Sequence, residues 1–278
     1  MSLTVADYRE LIRAEGATLL GQLERLASDD WARPSPCADW DILDVVVHMQ
    51  LGTMIHTAMV ENALADRMEP PWTIPEGTEA HTWFINVHRD AHAEGPAANV
   101  THLSERLTGY DAALARATDA DLQRPAWFYG LPATLDKIVS AFTDDLIVHA
   151  SDVRRPLGLE PWFSPTGSRF VGPYLLPWLP MLVTAERLGG MSGVVRQIID
   201  GLTSIATLGP DGVQIATEDG TSTASIPAAS ASLATDGGTW ALLTWRQWPP
   251  ADAERLGRLQ ISGDRALVER YLGAIKTP

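Results

Sequence analysis

The fold is decided by the stretch 134–155, which reads TLDKIVSAFTDDLIVHASDVRR. Apolar side chains recur along it at the spacing of an α-helix and predict one inward-facing side: Leu135, Ile138, Phe142, Leu146 and Val153. Pro156 and Gly158 follow directly and mark the end of this helix. An amphipathic helix of this length needs partners that cover its apolar side, so the pattern predicts a helical bundle.

Polar residues within the same helix suggest a metal site. Asp145 and His149 stand four residues apart, so a carboxylate and an imidazole project from one face. A second histidine, His48, lies in the apolar run 42–49, where a buried polar side chain needs a partner. If the two helices pack together, the three side chains form a two-histidine, one-carboxylate site with room for a further ligand, as in catalytic zinc centres.

Each of these residues also has a simpler interpretation. A lone histidine on an apolar helix face is more often a core residue bonded to backbone than a metal ligand. Asp145 and His149 alone are consistent with a surface ion pair. Only their combination with His48 and its flanking residues favours a metal.

Helical periodicity extends through the first half of the chain. Thr4 and Asp41 can cap two helices, the second running to about residue 59. Residues 68–75 are rich in proline and predict a loop, and the next helices are expected over 78–93 and 101–118. Antiparallel helices with such apolar stripes form bundles, and facing side chains in bundle cores build metal sites.

The second half changes character after Gly158. Prolines interrupt residues 159–190, which we expect to be a linker with a short helix. Beyond it, helices are expected over 191–202, 238–248 and 264–275, and strands over 213–217, 222–226, 231–235 and 258–262. The predicted fold class is α+β, with an antiparallel bundle over 1–158 and a small α+β domain over 191–278.

Composition limits the partners. The 278 residues carry a formal charge of −14, which argues against nucleic acid and against anionic membrane surfaces. Cys37 is the one cysteine, so an intramolecular disulfide and a four-cysteine zinc site are excluded. The sequence has neither a spanning apolar segment nor a signal segment, and a cytoplasmic monomer or homodimer is expected.

Two motifs resemble a known family. The run 30–48, DWARPSPCADWDILDVVVH, resembles the opening motif of the mycothiol-dependent maleylpyruvate isomerase family, and 145–158 resembles its second metal motif. That family belongs to the DinB-like metal-binding four-helix bundles and carries a sterol-carrier-like α+β C-terminal domain. Residues 242–246 and 259–264 are similar to that second domain.

The resemblance implies a cofactor and a cosubstrate. It implies a divalent metal, usually zinc, held by His48, Asp145 and His149, with mycothiol as the thiol cosubstrate. In the family's reaction a thiolate adds to a cis double bond, the resulting single bond rotates, and elimination gives the trans isomer. The family's carboxylate ligand is usually glutamate, and Asp145 is one methylene shorter. The substrate is expected to be small and to bear a carboxylate.

Further residues receive supporting roles. Asp152 lies one turn beyond His149 and is expected to orient an imidazole from outside the metal shell, with direct ligation of the metal as the lesser alternative. His56, two turns beyond His48, could act as a general acid or base. Arg246 is the candidate for clamping a substrate carboxylate, although Trp245 stands where family members often have glycine.

Other conspicuous residues are assigned to structure. Cys37 is expected to pack as a small hydrophobe because no histidine partner is evident. His88 and His92 are four residues apart on a polar face and are expected to face solvent. Trp83, Trp127 and Trp162 could line an apolar substrate pocket.

Three functions remain open on the sequence alone. The first is a metal-dependent, thiol-using isomerase or transferase. The second is a ligand-binding protein whose metal only stabilises the bundle and whose second domain holds an apolar molecule. The third is a metal-dependent hydrolase that uses bound water.

Overall fold

Two units make up the chain in the computed structural model, Met1–Phe163 and Ser164–Pro278. The structure describes residues 3–76, 78–217, 228–246 and 248–275. Within these ranges no helix is both long enough and apolar enough to cross a membrane. The expected α+β class is confirmed.

Helices form most of the first unit. Their bounds are α1 Val5–Leu23, α2 Ile42–Leu64, α3 Ala80–Ala93, α4 Pro96–Leu114 and α5 Leu135–Arg154. A hairpin of β1 Pro125–Phe128 and β2 Leu131–Thr134 precedes α5. The sequence does not predict this hairpin, because each strand has only four residues and includes a proline. The two strands are joined by a tight turn at Tyr129 and Gly130, both of which have positive φ.

Side-chain caps start three of these helices. Thr4 caps α1, Asp41 caps α2 and Thr134 caps α5, each through a side-chain oxygen that accepts a backbone N–H of the first turn. The helix expected over 101–118 begins earlier, because Gly95 adopts φ 83° and Pro96 is suited to the first helical position.

The bundle core lies between α1, α2, α4 and α5, and α3 packs against α2. Long apolar and aromatic side chains from all four helices fill it, among them Leu19, Val46, Leu103, Tyr110, Ile138 and Phe142. Because α2 and α5 contact each other directly, His48 on one helix can meet Asp145 and His149 on the other.

The second unit is a five-stranded sheet with helices. Its strands are β3 Gly193–Ile199, β4 Leu202–Gly209, β5 Gly212–Thr217, β6 Ala231–Thr235 and β7 Leu259–Gly263, in the order β5-β4-β3-β6-β7. β3 and β6 are parallel, and the other neighbours are antiparallel. The helices are α6 Pro165–Tyr174, α7 Leu179–Leu182, α8 Ala185–Leu188, α9 Gly237–Trp245, α10 Pro250–Arg255 and α11 Arg265–Ala274.

The helix predicted over 191–202 was wrong. Val195, Gln197 and Ile199 are buried on one face of β3 while Arg196 is exposed, which is the two-residue period of a strand. The chain then reverses at Asp200 and Gly201, both with positive φ, into β4. The period was misjudged because a run of Val and Ile fits a buried strand as well as a helix.

The segment 159–190, expected as a linker, contains packed structure. α6, α7 and α8 lie there, and buried leucines from this segment belong to the core of the second unit: Leu175, Leu176, Leu179, Leu182 and Leu188. Its prolines start short helices rather than an extended connection. The strand expected over 222–226 lies outside the described residues.

Candidate functional site

The three ligands predicted from sequence come together between α2 and α5. The Oδ1 atom of Asp145 lies 3.7 Å from Nε2 of His48 and 3.3 Å from Nε2 of His149. The two imidazole rings meet edge to face, with centroids 4.6 Å apart. We call His48, Asp145 and His149 the α2–α5 cluster. The three ligand atoms lie within 4.8 Å of one another, close enough to share one metal ion.

Asp152 fixes the orientation of His149. Its Oδ2 atom lies 3.0 Å from Nδ1 of His149, and the carboxylate is fully buried. An imidazole that donates its Nδ1 proton to this carboxylate presents the lone pair of Nε2 toward Asp145 and His48. Histidine ligands of metals are commonly held in this way by a second carboxylate.

Cys37 has the histidine neighbour that the sequence did not reveal. Its Sγ atom lies 3.9 Å from Nδ1 of His149 and 3.4 Å from Oδ2 of Asp152, which accepts the thiol proton. The expectation of a cysteine without a histidine partner was therefore wrong. The contact arises because residues 35–40 fold back as a turn before α2 and bring the thiol to the end of α5.

The charges of the cluster are coupled. Burial alone would raise the pKa of Asp145, but the facing imidazoles of His149 and His48 hold that pKa well below its usual range. Burial alone would lower the pKa of His149, but Asp145 and Asp152 raise that pKa well above its ordinary value. The arrangement therefore favours a positive charge at this point, either a proton or a metal cation.

Gly52 of α2 lies beside the carboxylate of Asp145. A Cβ atom added at Gly52 would lie 3.7 Å from Oδ2 of Asp145, which is ordinary contact distance, so a larger side chain would compete for the same space. Sequence analysis did not single out Gly52, and its place one turn after His48 was the available signal.

The donor set fits a tetrahedral divalent ion. Ligand atoms about 2.0–2.2 Å from such an ion lie roughly 3.3–3.6 Å from one another, close to the two distances at Asp145. Two imidazoles and one carboxylate would leave a fourth position open. His48 and Asp145 are each about one third exposed, at 37% and 32% of the side chain, so that position can be reached from outside.

A cavity of about 830 Å³ opens beside His48. Its walls are mainly apolar and aromatic, formed by Trp40, Leu51, Ile55, Phe84, Ile85 and Tyr129. A volume between about 300 and 1,000 Å³ is typical of small-molecule sites. The predicted wall residues Trp83 and Trp127 contact lining residues, with ring centroids 4.8 Å from Phe84 and 6.0 Å from Tyr129, and Trp162 instead lies against Arg155.

A second group of histidine and carboxylate side chains lies at the start of α2. Nε2 of His92 is 3.8 Å from Oδ1 of Asp41 and 3.7 Å from Oδ1 of Asp44. We call Asp41, Asp44 and His92 the α2–α3 cluster. Both carboxylates also form the capping box of α2, in which each accepts the other residue's backbone N–H.

His88 and His92 do not simply face solvent, as the sequence suggested. Both line the cavity, and the ring of His88 stacks on Trp40 with centroids 5.4 Å apart. His88 Nε2 donates to the backbone carbonyl of Asp44, and burial lowers the pKa of this histidine. The prediction failed because α3 packs this face against the start of α2.

Trp40 lies between the imidazoles of the α2–α5 cluster and that of His88. Its ring lies 5.1 Å from the ring of His48 and 6.4 Å from that of His149, measured between centroids, while its other neighbour is His88. The residue before the α2 cap thus forms a wall between the two groups of imidazoles. The Trp40-Asp41 pair at the start of an apolar helix was the sequence signal for this position.

The two catalytic candidates predicted from sequence, His56 and Arg246, are not members of the α2–α5 cluster. His56 is buried in α2, its Nδ1 donates to the carbonyl of Gly52 at 2.9 Å, and burial lowers the pKa of its imidazole. Its ring packs against Phe142 and Tyr129. Arg246 follows α9 in the second unit, and its role stays a prediction.

Comparison with known proteins identifies the class. Residues 12–154, just over half of the chain, match the family model described as the mycothiol maleylpyruvate isomerase N-terminal domain. The chain belongs to this family, as its two motifs predicted. A search of curated proteins gave no match.

Solved structures agree on the fold. The chain is similar to a crystal structure of the mycothiol-dependent maleylpyruvate isomerase, with TM-score 0.56, 11% identity, and coverage of 87% of this chain and 88% of that one. A mutant of that enzyme gives TM-score 0.57 at 11% identity, with 88% and 90% covered. At this identity the likeness shows the fold alone, over nearly the whole length of both chains.

Proposed function

We propose that this protein is a metal-dependent enzyme that uses a low-molecular-weight thiol, mycothiol or a similar compound, to isomerise a small molecule or to transfer the thiol to it. The observation that carries the proposal is the α2–α5 cluster with Asp152 behind His149, at the edge of a cavity of substrate size. Membership of the family supports thiol chemistry.

Each side chain has a definite task in this proposal. His48, Asp145 and His149 would hold the ion through Nε2, a carboxylate oxygen and Nε2, respectively. Asp152 accepts the Nδ1 proton of His149 in a hydrogen bond and so orients Nε2 as the ligand atom, where the ion would take the place of a proton. When bound, a divalent cation such as zinc lowers the pKa of a thiol or water and polarises a substrate oxygen.

The walls around the cluster serve the same chemistry. Trp40 covers the imidazole of His48, and apolar side chains line the cavity beyond it. A thiolate is a stronger nucleophile where water is excluded, because fewer hydrogen bonds stabilise its charge. The exposed fraction of His48 and Asp145 gives the thiol and substrate a route to the open position.

The first test is metal content. Untagged protein should contain about one divalent ion per chain, and His149→Ala should lose it. His102→Ala is the matched control, because His102 lies on the exposed side of α4 and pairs with Glu94, away from the cluster. Circular dichroism of each variant checks folding. Wild-type protein that takes up no divalent ion even on reconstitution would contradict the proposal.

The second test separates the three candidate functions. Turnover of maleylpyruvate or another activated alkene that requires both the metal and added thiol supports the proposal. Ester or amide hydrolysis without thiol, abolished by chelation, would replace it with a hydrolase. Bound apolar ligand without turnover in either assay would replace it with a ligand-binding protein, for which the cavity is also large enough.

A further inference from the structure

The cavity beside His48 has a chemical character of its own. The lining residues at the start of α2 and on α3 include two half-buried carboxylates, Asp41 and Asp44, one exposed carboxylate, Asp39, and one cation, Arg89. Arg89 is highly exposed and pairs with Asp90 at 3.0 Å. Within the described part of the first unit, the cavity therefore has an excess of negative side-chain charge at the start of α2, one helical turn before His48.

Neighbouring groups only partly offset this charge. The start of a helix carries about half a positive charge, and the two capping carboxylates already accept its N–H groups. His88 and His92 face Asp44 and Asp41, and burial lowers the pKa of His88, which disfavours a positive charge on that ring. A substrate carboxylate at this end would meet like charge, and the one cationic side chain among the described lining residues, Arg89, is highly exposed and already pairs with Asp90.

The walls favour a ring. Trp40, Phe84 and Tyr129 present aromatic surface, and Leu51, Ile55 and Ile85 present aliphatic surface. Aromatic and aliphatic walls make the largest apolar contact area with a flat apolar molecule, because they can contact both its face and its edge. Such a molecule could extend from His48 past Trp40 to His88, since both imidazoles contact the Trp40 ring.

We propose that the substrate of this site is an uncharged, mainly apolar electrophile that carries an aromatic ring, and not a carboxylate. The proposal rests on the proposed function in assuming that the cavity serves the thiol reaction. It departs from the carboxylate-bearing substrate expected from sequence. In the reaction the thiol sulfur would bond to the electrophilic carbon of an activated alkene, and the thiol proton would pass to the adjacent carbon.

The test uses two probes of nearly identical shape. Benzylideneacetone and cinnamate share a phenyl ring and a conjugated double bond, but one ends in a neutral methyl ketone and the other in a carboxylate. Isothermal titration calorimetry with metal-loaded protein at pH 8, without thiol, should give at least tenfold tighter binding of the ketone. Because no thiol is present, this result is independent of whether the enzyme turns over.

Paired variants test the cause. Asp41→Asn with Asp44→Asn removes two lining charges while asparagine still caps α2, and it should reduce the tenfold preference to less than threefold. The control is Glu69→Gln with Glu105→Gln, which removes two charges from exposed side chains outside the cavity and should leave the preference unchanged.

The outcomes separate the two proposals. Cinnamate binding as tightly as the ketone, or tighter, overturns the substrate class, and so does a preference that the Asp41→Asn, Asp44→Asn variant retains in full. Thiol-dependent turnover of carboxylate substrates together with such a result would leave the proposed function intact. Selective binding of the ketone without any thiol-dependent turnover would support the cavity's specificity and contradict the thiol enzyme.

Discussion

The α2–α5 cluster and the α2–α3 cluster contain the same types of side chain at similar distances, but their carboxylates are engaged differently. In both, an imidazole Nε2 atom lies between 3.3 and 3.8 Å from a carboxylate oxygen. Asp145 has its oxygen directed at two imidazoles. The carboxylates of Asp41 and Asp44 are already engaged by backbone N–H groups at a helix start.

The difference shows that distance alone does not define a ligand set. His149 has a buried carboxylate behind it that fixes its tautomer, and the α2–α5 cluster is placed between two long helices of the bundle. At the α2–α3 cluster the positive end of the α2 dipole opposes a bound cation. We therefore expect metal at the first cluster and helix stabilisation at the second.

The largest expected effect comes from matched carboxylate substitutions. Asp145→Asn should lower zinc affinity by more than about 100-fold, because it removes a charged ligand, whereas loss of an outer partner costs about 10–100-fold. Asp44→Asn should change zinc affinity by less than threefold. Competition with a chromophoric chelator measures both. A similar loss in both variants would mean that the two clusters act as one site.

The next effect concerns the carboxylate behind His149. Asp152→Asn should lower zinc affinity by about 10–100-fold while leaving one ion per chain at saturation, because His149 keeps its position but loses its charged partner. Asp41→Asn, which alters a carboxylate near His92, is the control. A variant that binds no zinc at any concentration would instead make Asp152 a ligand.

Much of the fold and part of the site could be predicted from sequence. The helices α1, α2 and α5 have strong apolar periodicity and side-chain caps, so their existence and starts were predictable. The meeting of His48 with Asp145 and His149 followed from placing two long helices side by side. These features depend on residues close together in the chain or on one packing contact.

The remainder depends on contacts between distant segments. Cys37 meets Asp152 only because the turn before α2 lies against the end of α5, and no local pattern encodes that contact. His88 lines the cavity because α3 packs on α2, although its neighbours in sequence are polar. The strand β3 was mistaken for a helix because a run of Val and Ile permits both structures.

A smaller effect tests the structural role assigned to the α2–α3 cluster. Asp41→Ala should lower the free energy of unfolding by about 1 kcal/mol, since alanine cannot accept the backbone N–H at the start of α2. Asp41→Asn should lower the free energy of unfolding by only a few tenths of about 1 kcal/mol, because asparagine can still accept that N–H. Urea unfolding of the metal-free proteins gives both values. If both variants lose the same free energy of unfolding, the stabilisation comes from the charge of Asp41 and not from its hydrogen bond at the start of α2.

The smallest expected effect concerns Cys37, and it decides on which side of His149 the ion lies. Cys37, His149 and Asp152 also place ligand atoms close together, so an ion at Nδ1 of His149 is the competing arrangement. Our assignment puts the ion at Nε2, where Cys37 donates only a weak hydrogen bond to Asp152. Cys37→Ala should therefore change zinc affinity by less than threefold.

Cobalt substitution distinguishes the two arrangements directly. Cobalt at Nε2 of His149 would have nitrogen and oxygen ligands only, and its spectrum should lack the near-ultraviolet band of a sulfur-to-cobalt charge transfer. A thiolate ligand at Cys37 would produce that band, and Cys37→Ala would abolish it together with most of the affinity. A band of this kind in the wild type would falsify the assignment of His48 and Asp145 as ligands and move the ion to the buried side of His149.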